Sequence, residues 1–329
     1  MPVPADIDRA RGALLGTFVG DALGMPFEGV AAAAIPERVE MEEARLGRGT
    51  YTDDTQMMIA LAESLLERGG VDAQALGGAF VDAYDPRRGY GSGTAEVLRL
   101  VRSGAHPHHA ASQAFGGKGS LGNGAAMRVA PIAVLYAHDC AALAAAARES
   151  ASVTHAHAIA IDAAVAQAAA IAAALRGESP LAAARKAATT AGLRDRIAQA
   201  AQLLDTRPAP AELAAALGNR PTAQKSVPAA IYAAAAHESV EPAITFAVRC
   251  GGDTDTLAAM AGAIAAARTG ASTIPTDWLD ALEQGPQGRS HVERLADRLV
   301  AARSNQDPAS RAPLSTAPLP ARGSSRPGS

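Results

Sequence analysis

Two short segments carry more oxygen-bearing side chains than their local structure needs. Gly49-Thr50-Tyr51-Thr52-Asp53-Asp54-Thr55 stands directly before an apolar-periodic run, and Gly251-Gly252-Asp253-Thr254-Asp255-Thr256 does the same far downstream. Each predicts a helix start, where a single Thr or Asp suffices as N-cap and acids suit the positive end of the helix dipole. Capping explains one residue per cluster and leaves the others over. Asp carboxylates and Thr hydroxyls are hard oxygen ligands, suited to Mg²⁺, Mn²⁺ or Ca²⁺ rather than zinc. Carboxylates that converge without a cation repel one another. Four Asp from two clusters could hold two ions about 3.5–4 Å apart, the spacing of two-metal hydrolytic sites. The clusters read either as two caps or as the halves of one site.

Glycine loops are the next feature. Gly89-Tyr90-Gly91-Ser92-Gly93-Thr94 and the run from Gly116 to Gly124 each precede a predicted helix. Neither fits GxGxxG after a strand or GxxxxGK[ST], so no Rossmann or P-loop assignment follows. Free N–H groups at helix starts can cradle phosphate, while an ordinary tight turn explains either loop alone. Glu28, in a Gly/Pro turn, is of interest only if it faces the acidic clusters. His155 and His157 open a long alanine-rich helix and could cap, pack or touch a ligand. His106, His108 and His109 read as an exposed loop cluster, and Cys250 as a small buried apolar residue rather than a nucleophile.

These residues must be positioned by helices. The chain has 329 residues, with 48% hydrophobic but only 3% aromatic residues. Alanine supplies much of the difference and is the best helix former. No run alternates as a strand. Helices are predicted at 9–23, 54–68, 72–84, 93–103, 124–137, 139–149, 156–176, 179–191, 210–217, 224–236, 240–249, 254–268, 276–284 and 289–303. The fold class is all-α, a compact multi-helix orthogonal bundle. Residues 1–303 form one domain, and the Pro/Ser/Gly/Arg-rich segment 304–329 is expected to be a disordered tail. A net charge of −3 with no Lys/Arg block argues against a nucleic-acid binder. Two unpaired-looking cysteines, no signal segment and no bilayer-length apolar run predict a cytoplasmic protein.

The motifs GALLGTFVGDALGMPFEG, YTDDTQMMIALAESLL, GYGSGT, GSLGNGAAMRVAPIAV, THAHA and VRCGGDTDTLAAMAGAIAAA occur in that order. In this order they resemble the ADP-ribosylglycohydrolase family from about residue 9 to about 300. Within it the pattern is similar to the type-three acceptor hydrolases, which act on ADP-ribosylserine, poly(ADP-ribose) and O-acetyl-ADP-ribose. The resemblance implies an all-α fold with a binuclear Mg²⁺ cleft, Mn²⁺ being a substitute. The implied metal ligands are Thr52, Asp53, Asp54, Asp253, Asp255 and Thr256. Glu28 matches the catalytic glutamate, and Gly91 would lie beside the distal ribose. Gly119, Ser120, Leu121, Gly122 and Asn123 would wrap the diphosphate and riboses, with His155 reaching the ligand from its helix start. Leu121 stands where type-three enzymes commonly carry an aromatic that stacks on adenine.

What the resemblance implies is hydrolysis at C1 of the distal ribose, with Glu28 as general acid or base and carboxylates stabilising an oxocarbenium-like centre. Asp21 is either a supporting acid or a structural residue at a helix end. The expected substrate is an ADP-ribosylated protein or a small ADP-ribose conjugate, with nucleic acid entering only as an ADP-ribosylated end, no membrane, and a monomer. The alternatives are an ADP-ribosylarginine hydrolase and a catalytically silent ADP-ribose-binding relative. A silent relative would be expected to lose metal ligands, and all six positions and Glu28 are filled here.

Overall fold

The computed structural model describes residues 3–306, with side chains to Ser304. In chain order the α-helices are α1 (Ala5–Gly24), α2 (Asp53–Arg68), α3 (Ala73–Ala83), α4 (Ser92–Arg102), α5 (Pro107–Gly117), α6 (Gly124–Met127), α7 (Ala130–Leu135), α8 (Cys140–Ser152), α9 (Ala158–Leu175), α10 (Pro180–Ala187), α11 (Ala191–Thr206), α12 (Pro210–Leu217), α13 (Ala223–Ala236), α14 (Val240–Arg249), α15 (Thr254–Thr269), α16 (Thr276–Ala281) and α17 (Arg289–Gln306). Among the described residues there is no strand, only an isolated bridge between Gly122 and Thr222.

α1 and α15 form the axis of the molecule. Gly12, Gly16, Gly20 and Gly24 recur every fourth residue and so share one face of α1. That face lies directly on the backbone of α15. A Cβ at Gly12 would stand 2.2 Å from the Ala266 carbonyl oxygen, at Gly16 2.2 Å from that of Gly262, and at Gly20 2.1 Å from that of Ala258. The helices run antiparallel, so the end of α1 meets the start of α15, where Thr254 Oγ1 donates to the Gly24 carbonyl at 2.8 Å. Around this pair α9, α13, α14, α7 and α17 close a core of Ala, Leu, Val and Ile side chains. The 18 residues of α9 are long and apolar enough to cross a membrane, and 83% of that window is buried inside the protein.

Several boundaries depart from the sequence reading. Residues 107–113 and 191–206 are helical although neither was expected to be, and α5 is kinked at Ala114, Phe115 and Gly116, whose backbone is not helical. In α5 the buried face is small (Ala110, Ala111, Ala114), and in α11 it is a narrow stripe of Leu193, Ile197 and Ala200 among charged residues. His106 holds the N-cap position of α5, and His108 and His109 lie in its first turn rather than in a loop. The expected helix 179–191 stops at Ala187 because Asp162 of α9 takes hydrogen bonds from the backbone and hydroxyls of Thr189 and Thr190 at 2.7–3.0 Å. The expected helix 124–137 is broken between α6 and α7, and Pro131 lacks the N–H a continuous helix would need. α17 runs to Gln306, three residues into the segment expected to be a tail. The remainder of that segment lies outside the described residues.

Gly20→Ala is expected to destabilise the fold by about 3 kcal/mol, the upper end of overpacking costs, because a backbone carbonyl cannot step aside. Gly78 in α3 has nothing within 4 Å of a built Cβ. Gly78→Ala should therefore be neutral or stabilising by up to about 1 kcal/mol. Urea unfolding of the two variants measures the contrast, and equal costs would remove the close-approach explanation.

Candidate active site

Asp21, on the last turns of α1, is completely buried and organises the first acidic cluster. Its carboxylate accepts from Thr52 N at 3.0 Å, Thr55 N at 3.1 Å and Thr55 Oγ1 at 2.6 Å. Of the two roles left open for it, the structural one is what the geometry displays. Thr52 then caps α2, its hydroxyl oxygen accepting from Asp54 N at 3.2 Å. With the cap filled, Asp53 and Asp54 are free for other work. At the second cluster Asp253 occupies the N-cap position of α15 but its carboxylate makes no capping bond. It accepts instead from Asn123 Nδ2 at 2.6 Å. Thr256 Oγ1 points across to Asp54 Oδ1 at 3.4 Å, joining the two clusters. Capping accounts for Thr52 alone, and the rest is one site.

The clusters form the floor of a cavity of about 610 Å³. Its walls hold Glu28, Gly91, Gly119, Ser120, Leu121, Gly122, Asn123 and His155 together with Asp53, Asp54, Asp253, Asp255 and Thr256. Thr52 is the one sequence-predicted residue that does not line it; it lies wholly buried behind the floor. The loop before α6 is fixed by backbone bonds to the loop before α13, with Asn123 N donating to Pro221 O at 3.1 Å and Ala223 N to Leu121 O at 3.0 Å. Gly119 takes φ +71°, and a Cβ there would stand 2.8 Å from Ala156 and His157. Both the left-handed backbone and the lack of space require glycine at that corner. The two histidines of THAHA divide their tasks: His157 caps α9 by accepting from Ile159 N, while His155 is buried in the cavity wall.

Sequence reasoning passed over three residues of the site. Arg45 holds Glu28 through an Nη2–Oε2 contact of 2.9 Å and lies against Gly89. Phe115 lies at the kink of α5 with φ +53° and is 55% exposed. Its ring rests on Gly93, where a Cβ would be 2.5 Å from the ring edge. Thr222 lines the cavity with a buried hydroxyl that has no hydrogen-bond partner. The Phe-Gly-Gly sequence next to a glycine-containing helix start was the available signal for Phe115. Arg45 and Thr222 carry none.

A family model for ADP-ribosylglycohydrolase matches residues 2–309. The chain belongs to the ADP-ribosylglycohydrolase family. It is 32% identical to the zebrafish (Danio rerio) ADP-ribosylhydrolase ARH3, over 94% of this chain and 96% of that protein. Identity to human (Homo sapiens) ADP-ribosylhydrolase ARH3 is also 32%, over 89% and 93% of the two chains. ADP-ribosylarginine hydrolase Tri1 of Pseudomonas putida is 28% identical over 89% of this chain and 78% of its own length. A solved structure described as an ADP-ribosylglycohydrolase-related protein complex superposes with a TM-score of 0.76 at 32% identity, covering 92% of this chain and all of the other. The all-α architecture and the type-three resemblance are thereby borne out, and the protein is a hydrolase of ADP-ribosyl glycosidic bonds.

The charge balance of this ADP-ribosylglycohydrolase site tests its fitness for a cation. Burial, then neighbouring carboxylates, pushes Asp53 up to about 8 and Asp54 and Asp255 well above the usual carboxylate range. Burial also raises Asp253 to about 6, against the lowering effect of Asn123. Asp54 Oδ2 is buried with no hydrogen-bond partner. As the side chains lie, no three His, Cys, Asp or Glu groups among the described residues stand at ligating distance. The donors are instead a mixed set of carboxylates and threonine hydroxyls, all oxygen and rich in negative charge. That chemistry fits a hard divalent cation. Cysteine plays no part: burial lifts the Cys250 thiol to about 12.

Carboxylates whose folded pKa is raised stabilise the fold at low pH and lose that contribution as pH climbs through the folded values. In EDTA the melting temperature should therefore fall as pH rises from about 5 to about 8. Excess Mg²⁺ should remove most of that fall, so its stabilisation is larger at pH 8 than at pH 5. Thermal scans at the two pH values, with and without Mg²⁺, give the answer; a pH-independent Mg²⁺ effect would contradict the assignment of the buried acids.

Proposed function

We propose that the chain is a Mg²⁺-dependent hydrolase that releases ADP-ribose from hydroxyl-linked conjugates, of which ADP-ribosylserine is the lead candidate. The observation that carries this reading is the position of Glu28. It lines the 610 Å³ cavity and also a second cavity of about 490 Å³, which is bounded by Gly29, Asn219, Arg220 and Asp253. A group at the junction of two cavities suits the bond between a glycone held in one and an acceptor leaving through the other. Arg220, exposed on the second cavity, disfavours a guanidinium acceptor by like charge and so favours a serine over an arginine linkage.

Asp53, Asp54, Asp253, Asp255 and Thr256, the ligand positions that line the cavity, would hold two divalent ions, which would supply positive charge to bind and orient the ribose hydroxyls. The chain's own residues do the rest. Glu28 moves the proton at the scissile oxygen or the attacking water. Arg45 ties its carboxylate to the Gly89 loop and limits where it can reach. In the glycine-rich loop the backbone N–H groups of Ser120, Leu121 and Gly124 serve the diphosphate, those of Gly119, Gly122 and Asn123 being bonded within the protein. Leu121 covers the base without π-stacking, and the exposed ring of Phe115 supplies the aromatic face instead.

Serine- and arginine-ADP-ribosylated peptides, incubated in Mg²⁺ and in EDTA, test the reading. Release from the serine peptide is expected in Mg²⁺ only, and Glu28→Gln should lower kcat by about 10²–10⁴-fold. Release from arginine alone would move the chain to the arginine-linked branch. ADP-ribose binding without release from either would make it a silent relative. Phe115→Ala should weaken ADP-ribose binding about tenfold by calorimetry, within the range of base–aromatic stacking, with little change in kcat.

A further inference from the structure

Arg128 is the largest fully buried side chain among the described residues and does not line the cavity. Its guanidinium lies over the Phe80 ring at 4.5 Å, with Nη1 3.8 Å from Met57 Sδ. Nη2 donates to Ser150 O at 2.9 Å and to Thr154 Oγ1 at 2.9 Å. Thr154 Oγ1 is in turn 2.8 Å from His155 Nδ1. All three residues are at most 1% exposed. The far side of the imidazole faces the glycine loop: Nε2 lies 3.6 Å from a Cβ built on Gly122 and 3.5 Å from one on Gly124.

Donor and acceptor counting settles the direction of this chain. A guanidinium can only donate, and burial lowers Arg128 only to about 9, so it remains a cation at neutral pH. Thr154 Oγ1 must therefore accept from it. The hydroxyl has one proton of its own, and His155 Nδ1 is the acceptor within reach. Were Nδ1 protonated, that hydroxyl proton would be buried without a partner, a costly state. Burial, followed by the charge of Arg128, holds His155 down to about 3, so the ring is neutral. A neutral ring that accepts at Nδ1 carries its proton on Nε2.

We propose that Arg128 and Thr154 are positioning residues that lock His155 as the Nε2–H tautomer, presenting a fixed neutral donor to an anionic oxygen of the ligand beside Gly122 and Gly124. The tautomer follows from the buried chain of hydrogen bonds alone. The identity of the oxygen as a diphosphate oxygen rests on the ADP-ribose reading. A neutral donor binds a phosphate oxygen without a charge that must be dehydrated on each turnover, and the cation behind it polarises the hydroxyl and ring in the same sense.

The test is long-range ¹H–¹⁵N NMR of the full chain with ¹⁵N-labelled histidine, free and with ADP-ribose, paired with calorimetry. His155 Nδ1 should resonate as an unprotonated nitrogen and Nε2 as a protonated one. Thr154→Val keeps the shape and removes the hydroxyl. It should abolish the single tautomer and weaken ADP-ribose binding about tenfold, the scale of one lost hydrogen bond to a charged group. Thr154→Ser should restore both, which a packing role alone would not do. A proton on Nδ1 in the wild-type protein, or a Thr154→Val variant with unchanged tautomer and Kd, would overturn the relay. The expected tautomer in a protein that does not bind ADP-ribose would leave the relay standing and overturn the ligand.

Discussion

The backbones of α1 and α15 lie against each other with no side chain between them, and the site depends on that contact. Four glycines spaced by four residues remove the atoms that would hold the helices apart. The consequence appears at one end of the pair. The last turns of α1 carry Asp21, which gathers the start of α2 by hydrogen bonds to Thr52 and Thr55. The start of α15 carries Asp253, Asp255 and Thr256, pinned to α1 through Thr254 and the Gly24 carbonyl. Any widening of the helix pair would separate the two acidic clusters.

Electrostatics runs against this arrangement and packing carries it. Asp53, Asp54, Asp253 and Asp255 share one desolvated volume, and each is held above its ordinary pKa by burial and then by neighbouring carboxylates. Among the described residues no arginine or lysine is bonded to any of the four; Arg45 is used on Glu28, and Arg128 is used behind His155. The surrounding alanine-rich core is what keeps the acids together. A hard divalent cation is the counter-charge this geometry suits, because only a small, highly charged ion satisfies several oxygens at once.

Much of the site was legible because excess is legible. Thr-Asp-Asp-Thr and Asp-Thr-Asp-Thr hold more oxygen-bearing side chains than a helix start can use, and the structure leaves that surplus by capping α2 with Thr52 alone. The helices with broad apolar faces were equally visible. α11 was missed because its buried stripe of Leu193, Ile197 and Ala200 is diluted by Arg, Asp and Gln, and α5 because its buried face is alanine under a run of histidines. The break after Met127 was written in Pro131 and overlooked. Arg45, Thr222 and the Arg128–Thr154 chain could not be read at all. Each acquires its role from a partner distant in sequence, and no local pattern announces such a partner.

The division between glycine floor and loop rim also bears on how such a protein can diverge. On the α1–α15 face, and at Gly119, an added methyl group would strike backbone. At Gly91, on the cavity wall, the backbone is extended (φ −60°, ψ 145°) and a built Cβ meets nothing within 4 Å. A side chain can therefore be added at the cavity rim, at Gly91, without disturbing the glycine-packed helix pair beneath it. Drift in sequence is channelled towards a change of guest, while the machinery beneath it stays sterically closed to amendment.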